Sequence, residues 1–422
     1  MDLVKKKLKK AYVEPINVQP KMLIGIELEL PIESDGSMVD TEVTKGLLKH
    51  LLQLGTMTLL ERDKSGVPIA IQSKEWKDVI LFEVSYNTIE IAFAPVVTIE
   101  EAEERFNSYM NEMNAYLNVY GHKIVGEGIN SQWATNDNQA VASPRYQMLM
   151  DYLALSRDYQ DLHQYPDYGA FICGNQVQLD VSKENYIQVI NVFNQIEAAK
   201  AYLFGNSPFP VTDWDTKVAR DRFWEESMHG LIKENAGLPE GLYENEEAFL
   251  DQLSETSMFT VQRKGEYFYF RPIKVKDYFN RAMIEGYNLE GNVVHFKPEE
   301  GDLESHRAYQ FQSLTRRGTV EFRSVCAQPL EDTFAPVAFH VGIMQNLQAV
   351  TEWLDGNEFF MEFGCDLRAL RRKFSKLVLN EKESESISKF AQGLLDLAIE
   401  GLVQRGFSEE TYLTSFRERN EI

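Results

Sequence analysis

In the segment Gly25–Leu30 (GIELEL), two glutamates alternate with Ile26, Leu28 and Leu30. Residues i and i+2 of a β-strand point to the same side, so this strand has one acidic face and one apolar face. Three further stretches repeat the arrangement. Ala170–Val181 sets Gln176, Gln178 and Asp180 opposite Val177 and Leu179, and Thr319–Cys326 sets Glu321 and Arg323 opposite Val320 and Phe322. Val79–Val84 and Thr88–Ala94 read as the arms of a hairpin around Ser85–Asn87, with Glu83 and Glu90 flanked by apolar neighbours. A parallel sheet covered on both faces would show continuous apolar runs instead. The pattern predicts an α+β fold built on a mainly antiparallel sheet with one functional face.

A sheet face is often polar because it is wet, and for any one strand that reading suffices. A wet face ordinarily mixes Thr, Lys and Glu, since like charges directly opposite are destabilising. Here the face carries Glu27, Glu29, Glu83, Glu90 and Glu321, with no lysine at the paired positions. Carboxylates clustered in this way need cations between them. Hard oxygen ligands without His or Cys select Mg²⁺, Mn²⁺ or Ca²⁺ over zinc. Arg323 beside Glu321 adds a planar fork for carboxylate or phosphate. Magnesium and arginine in a carboxylate-lined cup are the equipment of phosphoryl transfer from a nucleotide.

Elsewhere, helices are expected at about 40–54, 98–120 (capped by Thr98), 144–155, 182–201, 366–378 and 384–404. Phe268–Phe270 reads as a core strand rather than an adenine platform, and 285–302 as an acidic inserted loop. The basic N-terminus suggests a short solvated helix or arm over 1–20, followed by a catalytic unit over 21–376 and a helical segment, 377–422, packed on it.

The formal charge of -22, from 65 acidic and 43 basic residues, repels nucleic-acid backbones and anionic lipid. No nucleic-acid or membrane partner is expected. No apolar run approaches a membrane span, and no signal core follows the basic start. Cys173, Cys326 and Cys365 are too few and too scattered for a disulfide framework or zinc site, which fits reduced thiols in the cytoplasm. The histidines, among them His163, His229, His295, His306 and His340, lack ligand spacing and are expected as packed or exposed singles. No GxSxG or Walker A pattern is present, which argues against serine hydrolases and P-loop ATPases.

GIELEL, the pair Glu83 and Glu90, Arg145-Tyr146, NQVQLD (Asn175–Asp180), LFGNSPF (Leu203–Phe209) and VEFRS (Val320–Ser324) occur in one order. That order resembles the glutamate–cysteine ligases, most closely the plant and proteobacterial group, over about residues 22–330. The resemblance implies a glutamine-synthetase-like fold, a curved sheet with helices on its outer face and metals, ATP and glutamate on its concave face. It implies phosphorylation of the glutamate γ-carboxylate by ATP, then attack by the cysteine amine. A monomer or homodimer is expected. By motif, Glu27, Glu29, Glu83, Glu90 and Glu321 are the implied Mg²⁺ or Mn²⁺ ligands. Arg323 and Arg222 are the implied catalytic clamps. Gln176, Gln178, Arg145, Arg220 and Arg316 are the implied substrate or nucleotide contacts, with Arg220 an alternative to Arg222. Either arginine could instead form a surface ion pair with Asp221 or Glu225.

Three departures bear on the second substrate. The family's glycine-rich turn is replaced by Val84–Thr88, Gln178 stands where asparagine is usual, and 285–302 has no counterpart. A ligase using another amine, or a relative that only binds nucleotide, are the alternatives these departures leave.

Overall fold

The computed structural model describes residues 3–422. Its main sheet has nine strands: β1 (Ile24–Ser34), β2 (Met57–Arg62), β3 (Pro68–Ser73), β4 (Val79–Phe82), β5 (Thr88–Ala92), β6 (His122–Ile124), β7 (Gly174–Asp180), β8 (Gln312–Leu314) and β9 (Thr319–Cys326). Their order is β8-β9-β7-β1-β5-β4-β3-β2, with β6 paired to the end of β1. Every pairing in this sheet is antiparallel. The fold is therefore α+β, as the strand patterns predict.

Alternation along β1 explains why the sheet has two unlike faces. Ile24, Ile26, Leu28, Leu30 and Ile32 are all buried, and burying each such side chain contributes about 1.5–3 kcal/mol. They join a core that includes the helices Tyr186–Gln195, Glu197–Phe204, Ala335–Gln345 and Glu381–Arg405. Glu27 and Glu29 point the other way. Helix ends follow local chemistry: Asp40 caps Thr41–Gln53, Thr98 caps Ile99–Asn118, and Asn380 with Glu383 forms a capping box on Glu381–Arg405.

A second, four-stranded antiparallel sheet comprises 257–263, 266–274, 284–287 and 293–296. It contains Phe268–Phe270, as expected for a core strand, and corrects the expected 285–302 loop. That stretch is a hairpin followed by a 3₁₀ turn at Glu300–Ser305, held where Arg263 and Tyr278 hydrogen-bond Asp302.

The N-terminal segment is also corrected. Residues 1 and 2 lie outside the described residues, but Val4, Leu8, Tyr12 and Val13 are buried in the core. Lys5 and Lys9 ion-pair with Asp251 and Glu246 at the helix Glu246–Glu255. Lys5 and Lys9 thus neutralise an acidic helix of the same chain, while Lys6 and Lys10 face solvent. The helix expected over 182–201 breaks at Ile196 into two. The strand expected from 170 starts at Gly174, and the helix 366–378 is shorter, Leu367–Phe374. No helix among the described residues is long and apolar enough to cross a membrane.

Candidate active site

The sheet's polar face borders a cavity of about 510 Å³. Register brings the acidic side chains together there. Glu321 pairs with Gln178 across β9–β7, and Gln178 with Gly25 across β7–β1. In the next row Gln176 pairs with Glu27, and one row further along β1 Glu29 pairs with Glu90 across β1–β5. Glu27, Glu29, Glu83, Glu90 and Glu321 all line the cavity.

Amides and guanidinium groups separate these carboxylates. Gln178 Nε2 donates to Glu27 Oε1 and to Glu321 Oε1, both at 2.9 Å. Gln178 Oε1 accepts from Arg317 Nη2 at 2.6 Å. Gln176 Nε2 donates to Glu29 Oε1 at 2.9 Å, and the Gly174 N–H donates to Glu29 Oε2 at 2.6 Å. Arg323 ion-pairs with Glu321, and Tyr146 Oη donates to Glu83 Oε2 at 2.6 Å. Gly174 is needed here: a Cβ at that position would lie 2.4 Å from Arg220 Nη2 and 3.3 Å from Glu29 Oε2.

The partnering leaves a charge deficit. Glu29 keeps an edge on the cavity, yet desolvation pushes its carboxyl up to about 7; Arg220 opposes this, and Glu83 and Glu27 add to it. Desolvation, then the charges of Glu83, Glu27 and Glu29, hold Glu90 well above the usual carboxylate range. Glu27 is raised by desolvation against the pull of Arg323 and Arg317.

Of the other expected residues, Gln176, Arg145, Arg316 and Arg323 line the cavity. Gln178 and Arg220 act through its carboxylates. Arg220 is buried and donates through Nη1 to the Val325 carbonyl at 2.7 Å, beside Glu29. Arg222 is a correction. It ion-pairs with Glu226 one helical turn on and does not border the cavity, because the helix Ala219–Glu225 turns residue 220, not 222, toward the sheet. The partner of Arg222 is Glu226 rather than the expected Asp221 or Glu225, which pair with Arg371 and Arg372.

The sequence reading missed Arg307 and Arg317, which lie between strands, Tyr309, which sits in a two-residue strand paired with Ala236–Gly237, and Tyr12 and His306, which join the N-terminal segment to the cavity wall. Tyr12 Oη and His306 Nδ1 are 2.6 Å apart. The run His306-Arg307 and the pair Arg316-Arg317 flank β8 in sequence, which is the one signal that could have found them.

Among the described residues, no group of three or more His, Cys, Asp or Glu side chains forms a ready-made metal cage. Gln176, Gln178, the Gly174 N–H, Arg323 and Tyr146 engage carboxylate oxygens of Glu27, Glu29, Glu83 and Glu321. The donor set still suits a hard cation: five carboxylates share one wall, and Glu27, Glu29 and Glu90 are all raised above the usual carboxylate range.

The sequence profile of glutamate-cysteine ligase family 2 (GCS2) matches residues 23–375. The chloroplastic glutamate–cysteine ligase of Solanum lycopersicum is 23% identical over 342 residues, covering 78% of this chain and 61% of that one. The enzyme of Nicotiana tabacum gives the same figures. The chain thus spans about three fifths of the length of the curated relatives it matches. A crystal structure of glutamate–cysteine ligase from Francisella tularensis in complex with AMP overlays 96% of this chain on 99% of its own, at 13% identity and a TM-score of 0.41. The profile match extends over most of the sequence, and the chain belongs to glutamate-cysteine ligase family 2.

Proposed function

We propose that this chain is an ATP-dependent carboxylate–amine ligase that activates the γ-carboxylate of glutamate as an acyl phosphate and transfers it to the amine of cysteine. The observation that carries the reading is the cavity lining. Five glutamates and five arginines (Arg145, Arg307, Arg316, Arg317 and Arg323) face one volume. Arginines suit the phosphates and carboxylates of the substrates, and the glutamates suit a cation that bridges phosphate oxygens.

A carboxylate is a poor electrophile until one oxygen becomes a phosphate leaving group. In the first step a γ-carboxylate oxygen attacks the γ-phosphorus and ADP leaves. In the second the amine attacks the acyl carbon, phosphate departs with its C–O bond broken, and the amine sheds one proton. Glu27, Glu29, Glu83, Glu90 and Glu321 would hold Mg²⁺ or Mn²⁺, which supplies positive charge to the phosphate oxygens. Arg323, fixed by Glu321, and Arg317, fixed by Gln178, stand ready to exchange those partners for substrate oxygens. Arg220 holds positive charge beside Glu29 and favours its ionised form. The Thr256–His306–Tyr12 chain of hydrogen bonds (2.8 and 2.6 Å) fixes the far wall.

A second reading keeps the acyl phosphate and changes the amine. The 84–88 turn favours it: Ser85 Oγ donates to the Ala170 carbonyl at 2.8 Å and Asn87 Nδ2 to the Asp137 carbonyl at 2.7 Å. This packed turn, with Val84 on the cavity wall, replaces a flexible glycine-rich one. Incubation with ATP, Mg²⁺, glutamate and single amines, followed by ADP release, separates the readings. Cysteine-dependent turnover is expected. Turnover with a different amine transfers the assignment to that acceptor, and no ADP with any amine contradicts ligase activity. We also propose cytoplasmic residence as a monomer or homodimer, consistent with three unpaired thiols.

A further inference from the structure

Behind the cavity, on the opposite side of β9, lies a buried charge cluster that none of the steps above uses. Its centre is Arg371 in the helix Leu367–Phe374, which is 3% exposed. A guanidinium carries five N–H donors, and all five of Arg371's are engaged. Nε and Nη2 grip Asp221 Oδ2 and Oδ1 at 2.7 and 2.9 Å. Nη2 also donates to the Ser324 carbonyl at 3.1 Å. Nη1 donates to the Glu197 carbonyl at 3.1 Å and ion-pairs with the Glu197 carboxylate. Lys200 Nζ and Ser324 Oγ complete the shell of Glu197 at 2.6 and 2.9 Å.

These contacts land on the two elements that aim arginines at the carboxylates. Asp221 is the residue after Arg220, whose guanidinium reaches Val325 and Glu29. Ser324 is the residue after Arg323, and both lie in a β-bulge. From Phe322 to Val325, three residues of β9 advance against two of β7, Val177 to Asn175. A bulge frees a backbone carbonyl and re-aims a side chain. Arg371 takes the carbonyl so freed.

We propose that Arg371 is a positioning residue that fixes Arg220 and Arg323 relative to Glu29 and Glu321, so that the C-terminal helical layer sets the geometry of phosphoryl transfer. A stabilising salt bridge alone would not require this layout: buried ion pairs contribute little net stability against apolar packing, whereas a planar fork that spans a helix, a bulged strand and a second helix fixes three positions at once. The inference rests on the ligase reading for its choice of assay, but its geometry does not.

The test is R371K, which keeps the charge that Asp221 and Glu197 need but cannot fork, with D221N as a second cut of the same link. Each is measured for folded fraction, kcat and the KM values of ATP and glutamate. Misplacement of reacting groups by about 1 Å costs on the order of 100-fold. The expected result is a kcat per folded molecule at least about 10-fold lower in both variants, KM values changed less than about twofold, and a double variant no worse than either single one. Wild-type kcat per folded molecule, or loss that only tracks the folded fraction, overturns the proposal. If the wild type turns over no amine, the ligase reading fails, and the affinity for Mn²⁺ with ADP by calorimetry decides in its place. A several-fold loss of affinity in folded R371K supports the positioning role, and an unchanged affinity overturns it.

Discussion

Glu29 and Glu90 stand directly opposite each other across the β1–β5 pairing. A sheet ordinarily avoids like charges in that relation. Here the cost is visible in the carboxyls themselves. Desolvation and the neighbouring carboxylates raise both, Glu29 to about 7.

That relation predicts a pH dependence of the ligand-free protein. A carboxyl whose folded pKa lies above its unfolded value of about 4.5 is easier to keep protonated in the folded state. Its ionisation removes stability as pH rises from about 4.5 to about 7, and the loss then levels off. E29Q removes the titration. Relative to wild type, E29Q gains about 3 kcal/mol across that window, as measured by urea unfolding with EDTA present. Stabilisation of the wild type by Mg²⁺ grows over the same window, since the cation binds the ionised form. A pH-independent difference between the two proteins would remove this account of the acidic row.

Gly174 predicts a steric effect. G174A pushes a Cβ against Arg220 Nη2, at 2.4 Å, and Arg220 is buried and held by Val325. The expected outcome in steady-state kinetics is a loss of about 10- to 100-fold in kcat/KM, equivalent to about 1.4–3 kcal/mol. Wild-type kinetics in G174A would show that Arg220 has no bearing on the reaction.

The sheet and its acidic row were legible because a strand repeats every two residues, so Glu27, Glu29 and Glu321 declare their face without tertiary information. Arg220 and Arg222 were not separable, since both lie within one short helical turn and only the packing of Ala219 and Phe223 decides which faces inward. The helix break at Ile196 was hidden as well. Glu197 turns inward because Lys200 and Arg371 receive it, and Arg371 is far along the chain. Arg307 and Arg317 sit at strand ends, where period carries no signal. The N-terminal segment looked solvated because the acidic helix that pairs with Lys5 and Lys9 is brought near only by the fold.

Arg222 and Arg323 should behave oppositely on substitution. R222A removes a half-exposed pair with Glu226 and leaves kcat and KM within about twofold, as expected for a surface ion pair of about 0–1 kcal/mol. R323A unpairs Glu321 at the cavity and lowers kcat/KM by about 100-fold or more. Equal effects in the two variants would restore Arg222 to the site.

His229 is buried among Tyr152, Trp224, Phe259 and Tyr309. Among the described residues, neither of its ring nitrogens has a hydrogen-bond partner. Burial, then the charge of Arg323, pushes its pKa down to about 3. The unfolded chain binds a proton near pH 6.5 and the folded one does not, so stability is lost as pH falls from about 6.5 toward 3. H229F should raise stability by about 1 kcal/mol at pH 7, since an unsatisfied buried polar group costs about 1–3 kcal/mol. Its advantage should widen on acidification, as followed by thermal melts between pH 7 and pH 5. A destabilised H229F would mean that the imidazole has a polar partner in solution.

The acyl phosphate is the central claim, and oxygen transfer tests it most directly. With glutamate labelled by ¹⁸O in its γ-carboxylate, ATP, Mg²⁺ and cysteine, the account predicts one ¹⁸O in each phosphate released, read by mass spectrometry. Phosphate that carries no label while ADP accumulates would contradict it.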